Sequence, residues 1–339
     1  MRRASLFVAA IFGLTSASCH ALACSNGPPL QSSAAPTLPG RAVYQGYTAD
    51  GSSTQLYLFD FATKVQTQIS QPSWNVTNPL NPQFSPNGKL ITFTAIQNGH
   101  KDVFVWPIGG GAPQNLTNGG ASGSSASEDP KWGPDMASIV FKQDGNIRVL
   151  AISISAVNAV TVSSTNALTT DGVLGAPSEA SAPFYSAEGR YIYFVRGTGA
   201  VEAVHVIAVA AGENSETTFS ANGSYAYYPA VRDYTTIIYT GWTSATGRAD
   251  QIMAQAPLIS GTSVYQLPFN DCWSDNSDPA PVDTDYILYS NDSNSLSAGH
   301  FWRPVLGAYA TAATWDLSRI GLGVGIAGHV LGINYTAAR

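Results

Sequence analysis

Asn81-Pro82, Asp129-Pro130 and Asp278-Pro279 each place a side chain with oxygen donors directly before a proline. Two readings follow from that residue type in that place. An Asx residue there caps a turn by accepting from nearby backbone N–H groups. Alternatively, brought together, Asn81, Asp129 and Asp278 form a ring of oxygen ligands of the kind a hard cation such as Ca²⁺ takes. His100 and His300 are candidates for proton transfer or metal ligation. Arg196, Arg232 and Arg248 are candidates to neutralise a substrate anion. The chain has no H-x-x-x-H or H-E-x-x-H spacing, no G-x-S-x-G elbow, no phosphate loop and no C-x-x-C pair. The usual motifs of zinc proteases, α/β-hydrolases and nucleotide-binding enzymes are therefore missing. The glycine-rich run 321–328 superficially looks like a dinucleotide loop, but no βαβ unit surrounds it.

A repeat sets the elements that must position these residues. A proline-anchored phrase returns five times: a polar turn, then a short strand ending in an aromatic residue. Its copies span 82–93, 130–141, 183–194, 229–239 and 279–289, with anchors 48, 53, 46 and 50 residues apart. That period, with several short strands per unit, points to a β-propeller, because one four-stranded blade cannot bury both faces alone. Leu90–Thr94 and Tyr191–Val195 are rich in β-branched and aromatic residues, as strands packed between sheets should be. Ser85-Pro86-Asn87-Gly88 reads as a tight hairpin whose Asn-Gly supplies positive φ. No stretch beyond the N-terminal leader keeps a helical apolar period. The expected fold is all-β.

The phrase Phe84-Ser-Pro-Asn-Gly-Lys-Leu-Ile-Thr-Phe93 resembles the W/F-S-P-D/N-G-K-x-I-x-F core of the TolB-type, WD40-like propeller repeat. The following strand Asp102–Trp106 and the stretch Gly109–Thr117, close to G-G-x-x-x-x-L-T, extend the resemblance, which covers about residues 42–316. The second copy departs from it at Met136-Ala137, and the last two copies lose the Ser-Pro-Asp-Gly turn. The resemblance implies a propeller and, as for TolB-type propellers, a periplasmic interaction hub. The α/β domain that accompanies the propeller in TolB itself is not expected here. Related propellers include oligogalacturonate lyases, whose His-rich metal site finds no counterpart.

Counting strands gives six four-stranded blades, near 41–78, 79–126, 127–178, 179–224, 225–272 and 273–320. The strand at 328–336 should complete the first sheet and close the ring of a single domain over 41–339, removing an exposed edge. Arg2-Arg3, the apolar run 6–14 and Ala21-Leu-Ala23 read as a secretory signal over 1–23, followed by a Pro/Ser-rich segment over 24–40. Secretion or a periplasmic location follows. Cys24 and Cys272 are then expected to pair in an oxidising compartment, the alternative being a lipid anchor on Cys24. The net charge of −6 and only five lysines exclude nucleic acid and anionic membrane surfaces as expected partners. The apolar run is too short to span a membrane. A monomer is expected.

In such a ring the loops entering the inner strands share one face with the hairpins joining second and third strands. The Ser-Pro-Asn-Gly hairpins lie on the other. The first face, called here the loop face, collects His100, Asp102, Asp129, Trp242, Arg248, Asp250, Trp273, Asp278 and His300. Variable loops on a rigid ring are where ligands are met. The expected function is non-catalytic recognition of a protein or glycan there. The alternative is a polysaccharide lyase on a uronate polymer, with His100 or His300 as base and Arg196, Arg232 or Arg248 neutralising the anion.

Overall fold

The computed structural model describes residues 31–118, 125–198, 202–220, 224–243, 250–256, 264–268, 275–292, 302–311 and 313–338. They form six four-stranded antiparallel sheets and almost no helix, only three short 3-10 turns. The first blade holds β1 (Arg41–Tyr47), β2 (Thr54–Asp60) and β3 (Val65–Gln68), and the second β4 (Thr77–Phe84), β5 (Leu90–Gln97), β6 (His100–Pro107) and β7 (Gln114–Asn115). The third holds β8 (Ser127–Trp132), β9 (Ser138–Gln143), β10 (Asn146–Ile154) and β11 (Val160–Ala167). The fourth holds β12 (Ala180–Tyr185), β13 (Tyr191–Arg196), β14 (Ala203–Ala208) and β15 (Thr217–Thr218). The fifth holds β16 (Ser224–Asp233), β17 (Thr236–Thr243), β18 (Gln251–Gln255) and β19 (Tyr265–Gln266). The sixth holds β20 (Asp275–Pro281), β21 (Tyr286–Asp292), β22 (Arg303–Ala308) and β23 (Thr314–Asp316).

The first blade is completed by β24 (Val330–Thr336), which pairs antiparallel with β1 in the sheet order β24-β1-β2-β3. The ring is thus closed by the C-terminal strand, as expected from the sequence. The inner strands β4, β8, β12, β16, β20 and β24 each touch the next around the ring.

The proline-anchored phrase turns out to be a β-bulge. In every blade the inner strand slips register against its neighbour, so that two residues oppose one. The paired residues are Asn81-Pro82, Asp129-Pro130, Ala182-Pro183, Tyr228-Pro229, Asp278-Pro279 and Gly332-Ile333. Proline suits the second position because a bulge leaves an N–H without a ladder partner, and proline has none to lose. Opposite each bulge stands an aromatic ring: Tyr44, Phe93, Phe141, Phe194, Tyr239 or Tyr289, all exposed by 2% or less. The repeat therefore specifies a strand kink and the ring that fills it. Between blades the core continues in separate apolar clusters, such as Phe93, Phe104 and Trp106 between the first two.

The hairpin reading needs one correction. Of Asn87 and Gly88, only Gly88 has positive φ, +68°. The turn closes through Gly88 N–H donating to the Ser85 carbonyl at 2.8 Å, a geometry that needs the left-handed conformation only at its last residue. Asn87 instead works through its side chain, accepting from Ser85 Oγ at 2.8 Å and Lys89 N at 3.0 Å. Met136 takes the glycine's place in the third blade, at φ +61°.

Candidate functional site

The six bulges aim their first residues at the axis. Asn81, Asp129, Ala182, Tyr228, Asp278 and Gly332 all have positive φ, between +46° and +60°, and together they line one cavity of about 70 Å³ in the central channel. Glycine, Asn and Asp tolerate that conformation; Ala182 and Tyr228 are strained in it. Asn81, Asp129 and Asp278 therefore lie inside inner strands, not in entry loops. They also do not cap turns. Their bonds run from blade to blade: the Asp278 carboxylate accepts from Gly332 N at 3.3 Å, the Asp129 carboxylate from the backbone N–H of Ala182, and Asn81 Nδ2 donates to Asp129 Oδ1. Gln45 Oε1 accepts from Asn81 N at 2.6 Å, and Thr94 Oγ1 from Asp129 N at 3.1 Å. The ring is a belt of seams as much as a site.

Two residues further along the inner strands, on the same side of the pleat, stand Gln83, Lys131 and Phe184. Lys131 is the cation of the channel. Asp129 and Asp278, three blades apart and so on opposite walls, both act on its ammonium. Each keeps some accessible surface because the channel admits water, yet protein encloses all three. Burial pushes the Asp278 carboxyl up to about 6, with the Gly332 N–H and Lys131 opposing and Asp129 and Asp250 adding to the rise. Burial likewise raises Asp129 and lowers Lys131. Tyr228 reaches into the same space with 47% of its surface exposed, and the protein around it, with the nearby charges of Asp278, Asp129 and Glu202, raises its hydroxyl above the ordinary phenol range. This donor set suits Ca²⁺ poorly. Only two of six positions carry carboxylates, they face each other across the channel, and an ammonium already acts on both. Among the described residues no group of three or more His, Cys, Asp or Glu is arranged to hold a metal.

The remaining candidates disperse. Asp102 is buried inside β6, accepting from Thr117 Oγ1 at 2.7 Å and Asn115 Nδ2 at 3.0 Å, so it ties the blade together and presents nothing to solvent. Arg196 is held by Glu216 at 2.5 Å and Asp171 at 2.9 Å and donates to the Ser178 carbonyl. Burial works against the Glu216 charge, yet the bonds from His205 and Arg196 bring its carboxyl down to about 2. His205 places Nδ1 2.7 Å from that carboxylate. Arg232 lies near the far end of β16, stacked 3.9 Å from the Tyr309 ring centre and bonded to the Thr284 carbonyl. It belongs to the hairpin face and cannot share a site with His100, which opens β6 at the loop face. Asp250 is buried, its backbone N–H donating to Asp275 Oδ1 at 2.9 Å. Arg248, Trp273, His300, Cys24, Cys272 and the signal segment 1–23 lie outside the described residues, as does the side chain of Trp242, whose backbone is in β17.

No protein-family model matches the sequence, and no curated protein matches it significantly. Solved structures do match. TolB from Acinetobacter baumannii superposes with TM-score 0.60 at 16% identity, over 88% of this chain and 67% of that one. Hydrazine synthase of Kuenenia stuttgartiensis gives 0.65 at 12% identity over 90% of this chain, which spans only 48% of the synthase chain. A chain of a nidogen/laminin complex gives 0.58 at 9% identity over 88% of this chain and all of its own length. The likeness is one of fold. The chain is a TolB-like propeller in architecture, and its channel chemistry has to be read from its own residues.

Sequence reasoning passed over a second cavity, of about 300 Å³, where the channel opens on the hairpin face. Its walls include Gln83, Lys131, Trp132, Phe184, Asn334 and Tyr335. A signal for it existed. The residue after each anchor proline shares a strand face with the residue before it, so Gln83, Lys131 and Phe184 were fixed on the channel wall once Asn81 and Asp129 were placed there.

Proposed function

We propose that the protein is an exported, non-catalytic recognition module that holds a protein or glycan on its loop face. The observation that carries this reading is that the charged candidates among the described residues do not converge. Arg196 is saturated by Glu216 and Asp171, and Arg232, in another blade, lies on the opposite face of the ring from His100. An eliminating lyase needs a base and an anion-stabilising cation on one substrate. The loop face still offers a rigid ring with exchangeable hairpins, and a chain of similar fold belongs to a nidogen/laminin complex. Among the described residues no helix is long and apolar enough to cross a membrane.

Export rests on the leader-like segment 1–23, and the exported form is then residues 24–339 with Cys24 bridged to Cys272. Mass spectrometry of the non-reduced protein should read two mass units below the dithiol; a diacylglyceryl adduct on Cys24 or two free thiols would reject the bridge. The functional reading is tested by incubating the purified protein with uronate polymers and a glycan panel, following ultraviolet absorbance for unsaturated products and calorimetric heat for binding. Saturable binding without absorbance change supports it. Product formation overturns it in favour of a lyase.

A further inference from the structure

The hairpin-face cavity differs from the rest of the channel in the sign of its polar groups. The residues that line it include no Asp, Glu or His. They do include hydrogen-bond donors without acceptors. Lys131 reaches both this cavity and the smaller one above it, and no described residue gives its ammonium a hydrogen bond or an ion pair within 4.0 Å. Asn334 Oδ1 is used, accepting from Phe84 N at 2.9 Å, which leaves its NH₂ as the free end. Gln83, beside them, has no side-chain partner among the described residues. The Trp132 indole N–H, in the same wall, is buried without an acceptor, a state that leaves a desolvation cost uncompensated. Around these donors stand the apolar surfaces of Phe84, Phe184, Pro281 and Val282. Asp283, the nearest acid on the adjoining hairpin, is turned to its own backbone, accepting from Asp285 N and Tyr286 N at 2.8 Å each.

A single cation, two amides and an apolar wall make a defined chemical demand. We propose that this cavity binds a small organic carboxylate with an apolar body, the anionic end on the Lys131 ammonium and the body against Phe184. A volume near 300 Å³ lies at the lower end of the range for small-molecule pockets, so the fit is to a compact ligand and not to a polymer chain. Asp129 and Asp278 lie deeper in the channel, behind the ammonium. They act on it through space without closing an ion pair on it within 4.0 Å, so the charge facing the mouth remains available to a ligand. The site is separate from the loop face and does not depend on what binds there.

Calorimetry with benzoate and its neutral near-isostere benzamide tests this on the full chain. Benzoate should bind saturably, and benzamide at least about tenfold more weakly, as the loss of one charge-assisted bond implies. Lys131→Met should lower benzoate affinity by about the same factor while leaving benzamide unchanged. Asn334→Asp keeps the acceptor for Phe84 N but introduces an anion into the wall, and it should weaken benzoate alone; it serves as the deciding variant if Lys131→Met does not fold. Equal affinity for the two probes, absence of saturable benzoate binding, or unchanged benzoate affinity in a folded Lys131→Met or Asn334→Asp protein would each overturn the assignment.

Discussion

The Asp278 carboxyl should make the protein less stable as pH rises, and replacing it with asparagine should remove that dependence. Burial holds this group at about 6 against its ordinary 3.8. Because the folded form keeps its proton to a higher pH than the unfolded chain, the group favours folding at low pH, and that advantage is lost between about pH 4 and pH 6. The gap corresponds to about 3 kcal/mol. An asparagine at this position would keep the acceptor for Gly332 N, tolerate φ +54° and carry no charge. The substitution should therefore be neutral near pH 4 and stabilising by up to about 3 kcal/mol at pH 8. With an unfolding entropy near 2.1 cal/mol/K per residue, the 339-residue chain should gain about 4 °C in Tm at pH 8 and about none at pH 4. Differential scanning calorimetry of both proteins across that range measures it. An Asp278→Asn protein that melts lower at pH 8 would mean that ionised Asp278 is stabilised by Lys131 and Gly332 more than burial opposes it, and an equal shift at both pH values would mean that folding does not raise its carboxyl.

Arg196→Ala should cost about 2–4 kcal/mol, because it leaves the Glu216 carboxylate half-buried beside His205 alone; it should lower Tm without altering any loop-face ligand titration. Gly88→Val should also destabilise, by about 1–3 kcal/mol, since a Cβ there would lie 2.5 Å from Ala338 Cβ at φ +68°, whereas Asn87→Ala should lose only about 1 kcal/mol from two side-chain bonds; urea midpoints separate the two. Deleting 328–339 should remove β24, unpair β1 and expose Ala42 and Tyr44, against which the lost Val330 and Ile333 pack, at about 5 kcal/mol or more. A truncated protein melting within a degree or two of the full chain would disprove the latch.

The blade plan was legible because proline and the aromatic residue ten or eleven positions later serve one bulge, and a bulge demands both side-chain types. The channel was half legible. Asn81, Asp129 and Asp278 advertise a left-handed residue by their chemistry, but Ala182, Tyr228 and Gly332 share only φ with them, and a dihedral angle leaves no mark in the alphabet when the residue is strained into it. The bonds that hold Arg196 and Asp102 are illegible for the opposite reason. Their partners Glu216 and Asn115 sit on outer strands of two residues each, or just beside them, too short for any periodicity to place. Lys131 carries no such mark, because the channel wall is built from strand interiors, where a lone lysine belongs to no motif.

The pairing of Ala42 with Tyr335 has a consequence for the order in which the molecule can come into being. Blades two to six each draw their four strands from one contiguous stretch and can assemble as that stretch emerges. Blade one cannot. Its β1 edge stays open through the synthesis of everything that follows, and contacts of such long separation form slowly because the intervening chain must first be closed into a loop. A nascent chain therefore carries an unsatisfied strand edge until β24 has emerged. Ring closure can come only after β24 has emerged, and slowing it, rather than weakening any blade, is the most direct route to strand-exchanged dimers and aggregates.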